Sequence, residues 1–239
     1  MSFQFKQFFI QDDRCAMKVG TDSILLGSWV ALDSVRSVLD MGCGCGILSL
    51  MLAQRLQTQP HVAIAAVDIE PNACAQAREN AAQCPWAAQI AVHQGDVASF
   101  CAHADRTFDL IVANPPYFPL GVACANARRQ TARYIGHSAL ASHLDWLLCA
   151  KQCLAPNGRI ALVLPFHAGL DLIDAACAHG LFNHARLDVA TTAGKAPQRM
   201  LLSFTEQQST CAHHNLTIHD NGDYSADYRQ LTRAFYLRF

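Results

Sequence analysis

The feature that most restricts this chain is a repeated rhythm: a short apolar strand, a polar turn, then a helix. Val35–Asp40 reads as a strand ending in an acid, and Gly46–Gln57 carries Ile47, Leu50, Met51 and Leu56 at helical spacing. Val62–Asp68 is a second apolar strand ending in an acid, and Pro71–Gln83 reads as a helix with proline in its first turn. Gln89–His93 is a strand before Gly95-Asp96, and Thr107–Ala113 is a strand feeding Asn114-Pro115-Pro116-Tyr117. Ser138–Leu154 reads as a long amphipathic helix capped by Ser138, followed by an Asn157-Gly158 turn and strand Arg159–Pro165. His167–His179 is a helix closed by Gly180, and two strands follow at Ala185–Thr192 and Arg199–Thr205. Continuous apolar strands alternating with helices predict an α/β fold whose mostly parallel sheet is covered on both faces.

The 239 residues contain no internal repeat or low-complexity linker, which predicts a single domain over 1–239. Residues 1–30 form an N-terminal extension, 31–206 the core, and 207–239 a loop and C-terminal helix. Gln207–Asn215 is polar and reads as a surface loop; Tyr224–Phe239 places Tyr224, Tyr228, Leu231 and Phe235 on one helical face. A hydrophobic fraction of 51% with 15% charged residues excludes a disordered chain. No apolar run reaches the ~18 residues that span a bilayer, and the N-terminus has no basic start before an apolar stretch. The expectation is a cytoplasmic protein with no membrane partner. The eleven cysteines are scattered without Cys-x-x-Cys spacing, and the eleven histidines, His213-His214 included, lack partners at ligand spacing. No metal site is expected.

Net charge is −1, unevenly placed. Residues 1–109 hold 7 basic and 11 acidic side chains, and residues 110–239 hold 11 basic and 8 acidic ones. No acid lies between Leu110 and Leu144, where Arg128, Arg129 and Arg133 stand. The C-terminal half can therefore present a surface to an anionic partner.

Three strand ends carry the chemistry. Asp40-Met41-Gly42-Cys43-Gly44-Cys45-Gly46 joins a strand to a helix, and its glycines let a ligand approach the backbone. A dinucleotide site wants Gly-x-Gly-x-x-Gly, with Ile47 at its last position here, so the spacing disfavours an NAD oxidoreductase. Gly-x-Gly-x-Gly after an acid resembles the first motif of class I S-adenosylmethionine (SAM) methyltransferases. Asp68 ends the second strand, where a carboxylate can accept both ribose hydroxyls of a nucleoside; Glu70 competes for that role. Asp96 follows the third strand, in reach of an adenine amino group. At the fourth strand end, Asn114-Pro115-Pro116-Tyr117 sets two acceptors, the Asn side chain and the Pro115 carbonyl, in a rigid extended loop. Such a pair suits a planar NH2 group, and Tyr117 or Phe118 offers a ring for a flat base to stack on. These four residues match the (Asp/Asn)-Pro-Pro-(Tyr/Phe/Trp) motif of amino methyltransferases.

That motif serves DNA, RNA and glutamine targets alike. Five further stretches separate them. Phe5-Lys6-Gln7-Phe8 and Met17-Lys18-Val19-Gly20-Thr21-Asp22-Ser23-Ile24-Leu25-Leu26-Gly27 resemble the N-terminal signature of the bacterial tRNA1(Val) (adenine(37)-N6)-methyltransferase family. Ala132-Arg133-Tyr134, Arg199-Met200-Leu201-Leu202 and Phe235-Tyr236-Leu237-Arg238-Phe239 resemble the same family. The resemblance implies a seven-stranded sheet of order 3-2-1-4-5-7-6 and methyl transfer from SAM to N6 of adenine 37 of a valine tRNA. It implies cofactor contacts from Asp40, Gly42, Gly44, Gly46, Asp68 and Asp96, and target-amine contacts from Asn114, Pro115, Pro116 and Tyr117. Arg128, Arg129 and Arg133 are candidates for tRNA phosphates, with Lys195, Arg199, Arg229 and Arg233 as further ones. No obligate protein partner is evident. The alternatives are a glutamine-side-chain methyltransferase acting on protein and a non-catalytic SAM- or RNA-binding module; the intact Asn-Pro-Pro-Tyr argues against the latter.

Overall fold

A computed structural model describes residues 2–59, 61–116 and 140–239. A hairpin of β1 (Ser2–Gln4) and β2 (Phe9–Gln11) precedes α1 (Thr21–Trp29). Then come β3 (Ser37–Met41), α2 (Ile47–Leu56), β4 (Ala63–Asp68), α3 (Pro71–Ala82), β5 (Ile90–Gln94), α4 (Val97–Ala102) and β6 (Phe108–Ala113). After the next described residues begin, the order is α5 (His143–Lys151), β7 (Leu154–Pro165), α6 (Phe166–Cys177), β8 (Phe182–Thr192) and β9 (Arg199–Thr205). β10 (Ala212–Asp220), β11 (Asp223–Tyr224) and α7 (Ala226–Thr232) complete the chain.

The main sheet has nine strands in the order β11-β10-β8-β9-β7-β6-β3-β4-β5. The seven strands from β5 to β8 follow the expected 3-2-1-4-5-7-6 order, so the expected seven-stranded count is corrected by the two strands added beyond β8. β9 runs antiparallel to both β7 and β8, and the pairs from β7 through β5 are parallel. Strand ends therefore align: Asp40 pairs with Ala66 and Val112, so the turns after β3, β4 and β6 open on one edge of the sheet.

Alternation along each strand divides the core in two. Val38, Leu110 and Val112 face α1 and α2 on one side, with the buried residues of the hairpin and of α7. Leu39, Met41, Ile111 and Ala113 face α4, α5 and α6 on the other. This period-2 rule also sets which way side chains at strand ends point. Ser49, on α2, meets Asp40, and Ser23, on α1, meets Asn114, both on the first side.

Four local expectations change. The residues after Asp96 form helix α4, because Asp96 caps it by accepting from the Ser99 N–H at 3.0 Å. Ser138 lies outside the described residues; α5 begins at His143, capped by Ser142, and Leu154 already belongs to β7. Ala212–Asn215, expected in a loop, opens β10, which runs parallel to β8. Its polar start is exposed, and only Leu216 and Ile218 reach the core. The C-terminal helix spans only Ala226–Thr232. Beyond it Phe235, Tyr236 and Phe239 turn back into an aromatic cluster, with the Tyr228 and Tyr236 hydroxyls 3.0 Å apart. Lys6 fastens this cluster to the hairpin by donating to the carbonyls of Arg233 and Phe239 at 2.7 Å each. Among the described residues, no helix is long and apolar enough to cross a membrane.

Candidate active site

The turn after β3 is built by glycine. Gly42, Gly44 and Gly46 have φ of 69°, 54° and 85°, a region that side chains with a Cβ disfavour. The amides of Gly42 and Cys43 both donate to the Val67 carbonyl, which ties the loop to β4. A Cβ on Gly42 would come within 2.9 Å of the Trp146 ring, so glycine here also admits that indole. Gly46 stands at the start of α2, with Ala77 of α3 packed against it.

Asp40 and Asp68 lie under this loop, 0% and 1% exposed. Asp40 Oδ2 accepts from the Ser49 N–H at 3.1 Å and from the Ser49 hydroxyl at 2.6 Å. Its Oδ1 is buried and has no partner among the described residues. Burial pushes the Asp40 carboxyl up to about 7, against the pull of the two Ser49 bonds and with help from the Asp68 charge. Asp68 accepts from Gly44 N–H at 2.8 Å and Glu70 N–H at 2.9 Å, and burial again raises its pKa. Two desolvated carboxylates beside one loop favour a cation, or hydroxyls that can donate to them.

A cleft opens in front of the loop. Gly42, Gly44, Asp68, Asp96, Asn114 and Pro116 all line it, so it brings together six of the ten residues predicted for cofactor and target amine. Asp40, Gly46 and Pro115 are not among its lining residues; Asp40 lies behind the loop, bonded to α2. Asp96 uses Oδ2 to cap α4 and keeps Oδ1 buried without a partner among the described residues. Asn114 donates from Nδ2 to the Ser23 hydroxyl at 3.0 Å, and its Oδ1 likewise has no described partner. A buried acceptor without a donor costs about 1–3 kcal/mol, so these oxygens suit a ligand that brings N–H groups.

Tyr117, Arg128, Arg129 and Arg133 lie outside the described residues. The other predicted basic residues are spread out. Lys195 is exposed in the turn between β8 and β9. Arg199 pairs with Asp22 of α1 at 3.0 Å. Arg229 pairs with Asp223 at 2.6 Å and lies over the Phe239 ring, and Arg233 donates to Gln230 at 3.1 Å.

Several lining residues had no predicted role. Met17 and Lys18 come from the segment before α1, where Lys18 donates to the Asp12 carbonyl at 2.6 Å. Ser23 comes from the first turn of α1, and Trp146, whose Nε1–H has no partner among the described residues, from α5. Met17, Lys18 and Ser23 all belong to the stretch that carried the family resemblance. Nothing local to Trp146 marked it, since a tryptophan on a helix reads as core.

Comparison with known proteins bears on this cleft. Residues 15–173 match the model of the methyltransferase small domain family, a range that spans the loop, both acids and Asn-Pro-Pro. A protein of Histophilus somni named tRNA1(Val) (adenine(37)-N6)-methyltransferase is 45% identical over 99% of this chain and 98% of its own length. The protein of that name in Pasteurella multocida is 47% identical over 99% and 97%. Among solved structures, an Agrobacterium tumefaciens protein described as a predicted O-methyltransferase superposes with a TM-score of 0.65 at 21% identity, covering 90% of this chain and 96% of that one. That likeness shows the fold. Identity near one half along the whole length says more, and on it the chain belongs to the tRNA1(Val) (adenine(37)-N6)-methyltransferase family.

Proposed function

We propose that this protein transfers a methyl group from S-adenosylmethionine to N6 of adenine 37, in the anticodon loop of tRNA1(Val). The observation that carries the reading is one cleft holding a glycine loop over two desolvated acids together with Asn114 Oδ1, a buried acceptor with no described partner. The full-length similarity to enzymes of that name supports the substrate. Residues 1–239 act as a single methyltransferase domain in the cytoplasm, where tRNA is found, without an obligate protein partner.

The residues present fit the cofactor: Asp68 can accept ribose hydroxyls, Asp96 Oδ1 the adenine amino group, and the acids offset a positive charge. Gly42 and Gly44 let it approach the backbone, with Asp40 and Gly46 fixing the loop from behind. When bound, SAM supplies an electrophilic methyl on its sulfonium sulfur. Asn114 Oδ1 and the Pro115 carbonyl accept the two hydrogens of the target amine. An exocyclic amine is a weak nucleophile because its lone pair is shared with the ring. Two acceptors on its hydrogens hold that lone pair in line and stabilise the positive charge that develops as the new N–C bond forms. The product amine then releases one proton to water. Pro116 stiffens the segment, Tyr117 stacks on the base, and Arg128, Arg129 and Arg133 hold phosphates beside it. Lys195 and Arg199 sit on the same sheet edge as Asn114 and extend that surface; Arg229 and Arg233 contribute from the C-terminal cluster.

The test is tritium transfer from labelled SAM to total tRNA from a strain lacking this protein, with nucleoside analysis. The expected product is N6-methyladenosine in one valine tRNA. Label in protein and none in RNA would instead support a glutamine-side-chain methyltransferase, and SAM binding with no label anywhere a non-catalytic module. Charge reversal of Arg128 and Arg129 is expected to weaken tRNA binding and flatten its salt dependence; unchanged affinity and slope would remove those two from the interface.

A further inference from the structure

The side chain of Asn114 has two ends of nearly equal size and opposite chemistry. Oδ1 accepts hydrogen bonds and Nδ2 donates them. Half a turn about χ2 exchanges the two. A neighbour that bonds this amide comes from outside the core. Ser23, in the first turn of α1 and 7% exposed, takes the hydrogen bond from Nδ2 at 3.0 Å across 91 residues of sequence. Both residues line the cleft. The far end of the segment is held as well, because the His143 ring at the start of α5 hydrogen-bonds the Pro116 carbonyl.

We propose that Ser23 is a positioning residue for methyl transfer: the hydrogen bond it accepts from Asn114 Nδ2 holds the side-chain amide in place with Oδ1 toward the target amine. The inference rests on Asn114 as the acceptor for that amine. Ser23 touches no reacting atom and keeps its own proton throughout. In the opposite orientation Asn114 would turn an NH2 toward the NH2 of the base, donor against donor. An alanine at position 23 removes the buried acceptor for Nδ2, so that neither orientation is held and fewer encounters present Oδ1. The loss belongs to the transfer step. Cofactor affinity depends on the other side of the cleft.

The experiment measures single-turnover methyl transfer to the valine tRNA, with enzyme and SAM saturating, for wild type, S23A, N114A and the double variant. SAM and tRNA affinities are measured alongside. S23A is expected to slow transfer about five- to tenfold, the scale of one hydrogen bond. SAM and tRNA affinities are expected to stay within about twofold of wild type. In the N114A background, S23A is expected to have no further effect, since the group it positions is gone. A wild-type rate in S23A would overturn the proposal. So would an equal further loss in the N114A background, or a rate loss matched by weaker SAM binding. A wild-type protein that methylates no tRNA would instead overturn the reading of the substrate, an outcome visible before any variant is compared.

Discussion

The two sides of the cleft are held in different ways. The side under the glycine loop is self-contained: Gly42, Gly44, Asp40, Asp68 and Ser49 all come from β3, the loop after it, α2 and β4, and their bonds run within that unit. The side that holds Asn114 is braced from elsewhere, by Ser23 of α1 and His143 of α5. A local site can be kept by a βαβ unit in any relative with this fold. A site assembled from an N-terminal helix and a later helix can be changed without disturbing the first. The division fits the rule that a fold does not by itself fix what its site acts on.

The largest break in this comparison should come from Asn114. Asn114→Ala is expected to lower single-turnover transfer about 100- to 1,000-fold, the range for loss of one preorganised group facing developing charge. SAM affinity, measured by calorimetry, is expected to stay within about threefold, because the residue lies on the other side. A large loss of SAM binding in this variant would show that the two sides are not separable.

The converse change is Asp68→Ala. SAM affinity is expected to fall about 10- to 100-fold, from lost hydrogen bonds to a charged acceptor and release of the Gly44 amide. At saturating SAM the transfer rate is expected to recover to within a few-fold of wild type. Failure to recover would mean that the acid also shapes the target side.

On both sides, the residues at strand ends were the legible ones. Asp68 and Asn114 could be found because each ends an apolar strand, and strand ends of a parallel sheet meet on one edge. The seven-strand order came from resemblance, and the pairing of Asp40 with Ala66 and Val112 follows from it. What could not be read were contacts with no local signal. The bond between Ser23 and Asn114 joins positions 91 apart, and nothing in a helix of mostly apolar residues marks one serine as facing a cleft. Trp146 looks like any core tryptophan until Gly42 is seen to make room for its ring. β10 was missed because β11 pairs only with His219 and Asp220, which leaves its start open and His213 and His214 exposed and erases the apolar alternation that announces a strand. Helix α4, with only six residues, is too short for a periodic pattern, and its Asp96 cap could equally begin a loop.

Gly42→Ala tests the seam between the sides, since Gly42 is in the loop and Trp146 is on α5. A positive φ of 69° and a contact at 2.9 Å both oppose a side chain there. Backbone strain of this kind costs about 1–3 kcal/mol, which lowers the melting temperature by roughly 2–10 °C in a chain of this length. SAM affinity is expected to fall with it as the loop shifts. A variant with wild-type melting and affinity would mean that the loop and the indole move apart at little cost.

The smallest effect concerns pH, and it singles out Asp40. Its carboxyl is raised to about 7 in the folded protein, chiefly by burial, whereas the unfolded chain has the ordinary value of 3.8. Below the unfolded value both states are protonated and Asp40 costs nothing. Between the two values the unfolded chain loses its proton first, so stability falls as pH rises toward 7 and levels off above it. A cation bound in front of the loop works in the opposite direction, because it favours the ionised form. SAM affinity is therefore expected to strengthen several-fold from pH 6 to pH 8, while the free protein melts a few degrees lower across the same range. Asp40→Asn retains an oxygen to accept from Ser49 and removes the titration, so both trends should flatten. Melting curves and SAM titrations at three pH values, for the wild type and this variant, provide the check. If the slopes persist in the variant, the titrating group lies elsewhere. If only the affinity slope persists, Asp40 fixes the loop from behind without sensing the charge in front of it, and the self-contained side of the cleft is held by Asp68 and the glycine backbone.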